Sequence, residues 1–340
     1  MNSRERVFQA MNYESPDRIP VFYGWANQAG LYTHGQKLLD LYRELPPDNS
    51  FLYDSIPEPA LGTMDAEGNY CFSERDAWGT LWEYRKFGIV GHPKAYPFKS
   101  WEEGVEKPMP PVPESGDADG ERKKIESERN DYCVIRGWIS IFEKLHAIQP
   151  MEDVLMDLIS EEDDFMDYLR RMVDYQKDVI RFYIDSGADV IQFADDWGSQ
   201  LGPIVSPNLF NEIYKPLYKE MFDLVHDAGK KVFFHCCGVI GPILDELMDL
   251  NIDGLWPQIA EYDLDSLSGR LKEINAMLYV HPDRQRLVPR DTPAEIDKQI
   301  RLYCEHFKKL GGGAVFNVEM EDDAPWENVE TLIRSIHRYR

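Results

Sequence analysis

The most specific chemistry in the sequence sits on His235 and Cys237, two residues apart at the end of an apolar run. In an extended chain such residues point the same way, so an imidazole and a thiolate can reach one ion. Both are good Zn²⁺ donors, and Gly238 lets the backbone turn immediately after them. A catalytic zinc needs a third protein ligand and an open position. Glu319 and His281, on neighbouring strand ends, are the candidates, whereas Cys236 should point away and pack. The adjacent acids Asp195 and Asp196 suit a general acid or a holder of a substrate cation. Alternatively, one caps the following helix and the other pairs with Arg284 or Arg286. Trp197, Trp256 and Tyr23 can wall a flat apolar ligand or belong to the core. Gln200, Gln258 and Arg284 are the candidates for orienting a substrate.

These residues share one kind of position. Apolar runs at 189–194, 231–235, 252–256, 277–281 and 314–318 are rich in β-branched and aromatic side chains, as parallel strands buried on both faces require. Each run ends in a polar cluster: Asp195-Asp196-Trp197-Gly198-Ser199-Gln200, His235-Cys236-Cys237-Gly238, Trp256-Pro257-Gln258, His281-Pro282-Asp283-Arg284, and Asn317-Val318-Glu319. Two further strands are expected at 18–23 and 132–137, and an eighth in the irregular first half. Residues 69–84 read as an antiparallel hairpin and 107–120 as a surface loop. A helix is expected from Asp153 to about Gly187, with a break near Glu161. Ser206-Pro207 opens another, which Pro216 should kink. Thr292-Pro293-Ala294-Glu295 is a capping-box pattern, and Gly311–Gly313 form a tight turn from helix to strand. No nucleotide fingerprint follows the first strand. The pattern therefore favours an α/β fold of the (β/α)8 TIM-barrel type, over 1–340 as a single domain, with its reactive groups at the C-terminal strand ends.

Composition excludes some partners. Against 37 Lys plus Arg stand 61 Asp plus Glu, a formal net charge of −24. Such a chain is poorly suited to phosphate backbones or anionic membrane surfaces. The densest basic run, Arg122-Lys123-Lys124, reads as a solvated helix face. No apolar run approaches membrane-spanning length, and the N-terminal residues show no apolar signal core. Five cysteines, sparse and odd in number, point to a reducing cytoplasm.

Several segments together resemble the uroporphyrinogen decarboxylase superfamily and, within it, the cobalamin-dependent methyltransferase branch. They are Ser3-Arg4-Glu5-Arg6-Val7, Pro16-Asp17-Arg18-Ile19-Pro20-Val21, Asp76-Ala77-Trp78-Gly79, Asp195 to Gln200, His235 to Gly238, and Thr292 to Ile296. The resemblance implies a barrel with its pocket at the C-terminal mouth. True decarboxylases of this superfamily carry an early arginine-rich motif for porphyrinogen carboxylates; here residues 21–30 hold neither Arg nor Lys. The methyltransferases hold zinc with a His-x-Cys pair, matched by His235 and Cys237, and a later cysteine. That cysteine is missing, since the region reads Asn317-Val318-Glu319-Met320, so an acidic ligand would have to substitute. The resemblance thus implies zinc-dependent methyl transfer between a small thiol or methyl ether and a corrinoid such as methylcobalamin, carried by a separate corrinoid protein. Decarboxylation, or binding of a tetrapyrrole or metal without catalysis, are the alternatives.

Overall fold

The computed structural model describes residues 1–24, 27–50 and 53–340. Ten strands are seen among the described residues: β1 Val21–Tyr23, β2 Phe72–Arg75, β3 Leu81–Tyr84, β4 His92–Ala95, β5 Ile135–Ile139, β6 Val190–Ala194, β7 Lys231–Cys236, β8 Gly254–Pro257, β9 Met277–Val280 and β10 Ala314–Val318. Seven of them form one parallel sheet in the order β1-β10-β9-β8-β7-β6-β5. It curls into a half-barrel with helices around it, and all seven expected strands are present.

Successive strand residues alternate between two cores, as the pleat demands. Phe22, Val190, Phe233, Trp256, Tyr279 and Val315 meet inside the curl, together with Val7, Ala10 and Met11 of the helix Ser3–Met11. Ile191, Phe234, Leu255, Leu278 and Phe316 face outward against helix residues such as Leu169, Phe222, Leu244, Ile300 and Leu332. No helix is long and apolar enough to cross a membrane among the described residues.

The expected eighth strand is not found among the described residues, and β1 and β5 remain the edges of the sheet. The intervening chain forms short helices and a separate antiparallel sheet, β2-β3-β4. The expected hairpin is therefore the first two strands of a three-stranded sheet. Its side chains are half-buried or exposed. No continuous apolar run was available there for a strand buried on both faces.

Local expectations hold where capping chemistry is specific. The helix Met151–Ser160 stops at Glu161, whose φ of 50° is left-handed, and Asp163–Ser186 then starts under a Glu162 cap. The reciprocal Thr292–Glu295 capping box opens Pro293–Leu310, and Gly311 closes it at a φ of 81°. Ahead of Pro216, the chain makes a π-type turn at Phe210–Tyr214 before the helix Lys215–Asp227.

Strand register places the reactive residues. Ala194 lies opposite His235, and His235 opposite Trp256, so three strands end level with one another. The loops after β6 and β7 then meet backbone to backbone. A Cβ on Gly198 would lie 2.5 Å from the Cys237 carbonyl oxygen. A Cβ on Gly238, where φ is +74°, would lie 2.4 Å from Gly198. Only glycines allow this approach, and it brings Asp196 beside Cys237.

Candidate metal centre

His235 is buried and its ring is held from one side. The Nδ1–H donates to the Trp256 carbonyl at 2.9 Å, and a carbonyl can only accept. In the neutral ring Nε2 therefore carries a lone pair and no proton, and burial lowers the His235 pKa to keep it so. That lone pair faces Cys237 Sγ at 3.4 Å and Asp196 Oδ1 at 3.6 Å. Asp196 is set by the Cys237 backbone N–H, which donates to its Oδ1 at 2.8 Å. Among the described residues, these three are the one group of His, Cys, Asp or Glu with ligand atoms all within 4.8 Å of one another. Burial, and then the Asp196 charge, push the Cys237 thiol up to about 12. Without a cation the thiol holds its proton, and loading a metal would release it. A nitrogen, a thiol sulfur and a carboxylate oxygen with one tethered imidazole fit zinc in an open site.

The sequence singled out His235 and Cys237, and the structure adds Asp196 to them. Glu319 and His281 lie beside each other instead, with His281 Nε2 3.7 Å from Glu319 Oε2, too far for a hydrogen bond. Arg284 reaches Glu319 at 3.5 Å and Glu321 at 3.1 Å rather than either adjacent aspartate. Burial raises the Glu319 carboxyl to about 7 against the opposing pull of Arg284.

Asp195 and Asp196 diverge, as successive residues leaving a strand must. Asp195 is fully enclosed and accepts from the Ile141 and Glu143 backbone N–H groups at 2.7 Å each, and from the Tyr218 hydroxyl. It thus ties the start of the preceding helix Phe142–Ile148, not the following one. Burial pushes it up to about 7 against those hydrogen bonds. Trp197 is also fully buried, stacked on Phe142 with centroids 4.6 Å apart, and lines neither of the two cavities that meet at Trp256. Cys236 packs in the core and receives the Trp197 N–H at 3.3 Å, in keeping with its expected packing role. Gln200 is exposed in the loop beyond Gly198 and lines neither cavity.

Two cavities meet at Trp256. One of about 620 Å³ opens over the ends of β7, β8 and β9; His235, Gln258, His281 and Arg284 line it, with Arg286 and Arg290. The other, about 740 Å³, lies along the open seam between β1 and β5 and touches Tyr23, Trp138, Gln192, Tyr279 and Asn317.

Two residues of the site escaped the sequence reading. Glu143 follows the end of β5, and burial with the charges of Asp196 and Asp195 raises it to about 8. Trp138, also at the end of β5, packs its ring 5.4 Å from His235. The sequence signal for both is position, at the C-terminal end of an expected strand.

A family model described as uroporphyrinogen decarboxylase (URO-D) matches residues 146–339. Among solved structures, a methyltransferase from Methanosarcina mazei is similar over 100% of this chain and 99% of its own, with a TM-score of 0.70 and 17% identity. A glycosylated endo-β-1,4-xylanase from Gloeophyllum trabeum reaches a TM-score of 0.44 at 11% identity, covering 65% of this chain and 80% of its own. At 17% identity the likeness to the methyltransferase is one of fold. No match is found among curated protein sequences.

Proposed function

Since the chain belongs to the uroporphyrinogen decarboxylase family, we propose that it is a zinc-dependent methyltransferase. Residues 1–340 act as one barrel domain that moves a methyl group between a small thiol or methyl ether and the cobalt of a corrinoid on a partner protein. The observation that carries this reading is the convergence of Asp196, His235 and Cys237 beside an open cavity, with the imidazole tethered through Nδ1. The fold likeness to a methyltransferase supports it.

Asp196, His235 and Cys237 would hold the ion. When bound, zinc supplies Lewis acidity that lowers the pKa of a thiol or polarises an ether oxygen. The remaining chemistry belongs to the chain. Cys237 gives up its thiol proton on loading. Gln258 and Arg284 line the cavity and orient the substrate, and Trp256 and Trp138 pack against His235. Glu143, protonated near neutral pH and beside the acidic pair, is placed to exchange a proton. Asp195 holds the Phe142–Ile148 helix, and so Glu143, in position.

The test is turnover of methylcobalamin with a panel of thiols and methyl ethers, followed through the cobalt spectrum. Activity in the wild type that is lost in His235→Ala supports the reading. Full activity in that variant, or in protein stripped of metal, ends it. A second reading has one observation behind it: Arg284, Arg286 and Arg290 line the same cavity and could grip a carboxylate substrate for decarboxylation. Release of CO₂ from a carboxylate without bound metal would favour that reading.

A further inference from the structure

Trp256 touches two imidazoles through two different atoms. Its backbone carbonyl accepts from His235 Nδ1 at 2.9 Å, and its indole N–H donates to His281 Nδ1 at 3.0 Å. A carbonyl never donates and an indole N–H never accepts, so the two neutral rings carry their protons on opposite nitrogens. His235 is left with a bare Nε2, and His281 with an Nε2–H. The His281 Nε2 is a buried polar atom without a hydrogen-bond partner, on a residue 7% exposed. The nearest carboxylate oxygen, on Glu319, stands at 3.7 Å and is shared with Arg284. His281 and His235 line the same cavity. A donor left unpaired there costs free energy until something in the cavity accepts from it.

We propose that Trp256 is a positioning residue that sets opposite tautomers on the two rings, and that His281 Nε2–H is a subsite for an oxygen acceptor on the substrate. On this assignment His281 is not a metal ligand, because its outward nitrogen carries a proton. A thioether sulfur accepts hydrogen bonds weakly, so the subsite selects a methyl ether over its sulfur analogue. The substrate half rests on the methyl-transfer reading; the tautomer half does not.

Three measurements on the full chain test it. In metal-free protein labelled with ¹⁵N-histidine, the wild type should show His281 as the Nε2–H tautomer and His235 as the Nδ1–H tautomer, assigned with His281→Phe and His235→Ala. Trp256→Phe removes the indole N–H but keeps the carbonyl, so only the His281 pattern should change. An Nδ1–H His281 in the wild type, or an unchanged His281 pattern in Trp256→Phe, overturns the tautomer half. His281→Phe should bind zinc at wild-type stoichiometry; a loss of zinc makes His281 a ligand and overturns the assignment. For the subsite, calorimetric titration compares methoxyacetate with (methylthio)acetate, whose carboxylates suit the arginines lining the cavity. His281→Phe should weaken methoxyacetate about 10-fold or more, the scale of a lost buried hydrogen bond, and the sulfur analogue about 3-fold or less. Equal losses, or no binding of methoxyacetate to the wild type, overturn the substrate half while leaving the metal reading to its own test.

Discussion

The two ends of the half-barrel treat their buried acids in opposite ways. At the N-terminal end, three aspartates repeat one arrangement, each accepting a backbone N–H near a strand start together with a cation. Asp48 accepts from Val21 N at 3.0 Å, Arg6 at 2.6 Å and Arg340 at 2.8 Å. Asp189 takes Val134 N at 2.9 Å and Arg4, and Asp253 takes Val232 N at 2.9 Å and Lys231 at 2.7 Å. At the C-terminal end, Asp195, Glu319 and Glu143 are held above the ordinary carboxylate range by burial, and the His281 Nε2 has no partner. One end is electrostatically closed and fastens strand to helix and C-terminus. The other buries its acids beside a cavity with their proton affinity raised, as a barrel's active end should.

The sharpest way to break this contrast is at the closed end. Asp48→Ala strands the buried Arg340 guanidinium and the Val21 N–H, leaves Arg6 to Asp17 alone, and should cost about 3–5 kcal/mol. Urea unfolding should show that loss, while zinc stoichiometry of the folded fraction stays at the wild-type value. Loss of zinc without loss of stability would mean that the two ends are not separate in role.

At the open end, Gly238→Ala puts a Cβ into the Gly198 backbone at a left-handed φ. It should cost about 1–3 kcal/mol of strain. It should also weaken zinc binding about 10-fold or more, the scale of a lost supporting contact. Competition with a chromophoric chelator measures it, and unchanged affinity would show that the loop contact does not position Asp196.

The two ends should also separate by pH in the metal-free protein. The folded Glu319 carboxyl keeps its proton from its ordinary value of 4.5 up to about 7, a window in which the unfolded chain has released it. Stability therefore falls as pH rises through that window. Asp253 behaves oppositely. Burial opposes its charge, but hydrogen bonds from His226 and Lys231 prevail and lower its pKa, so its contribution is lost as pH falls. Glu319→Gln should raise the urea midpoint relative to the wild type more at pH 8 than at pH 5; equal shifts would contradict this account. The smallest effect lies away from both ends: Thr292→Ala, removing a helix cap, should cost about 1 kcal/mol in the same unfolding experiment.

How far the sequence carried this picture depends on the range of the forces involved. All seven strands of the main sheet were legible, because burial on both faces demands continuous apolar runs. Caps and turns such as Thr292 and Gly311 were legible because they act within a few residues. The eighth strand was expected from barrel arithmetic alone, with no apolar run behind it. His235 and Cys237 were visible as a pair because extended geometry is local. The place of Asp196 beside them was not, since it depends on two loops meeting through Gly198 and Gly238. Asp195 and Asp196 looked alike in sequence, and only their opposite directions on leaving β6 separate a helix tie from a candidate ligand. The two contacts of Trp256 likewise follow from the His235–Trp256 register, which no single segment encodes.

The central claim is that the open end holds a metal on Asp196, His235 and Cys237. Elemental analysis of the purified wild type after zinc loading and exhaustive dialysis tests it most directly, beside His235→Ala, Cys237→Ala and Asp196→Ala. The account predicts one zinc per chain in the wild type, almost none in the His235 and Cys237 variants, and a weakened site in Asp196→Ala. A wild type without zinc, or variants that keep it in full, would contradict it.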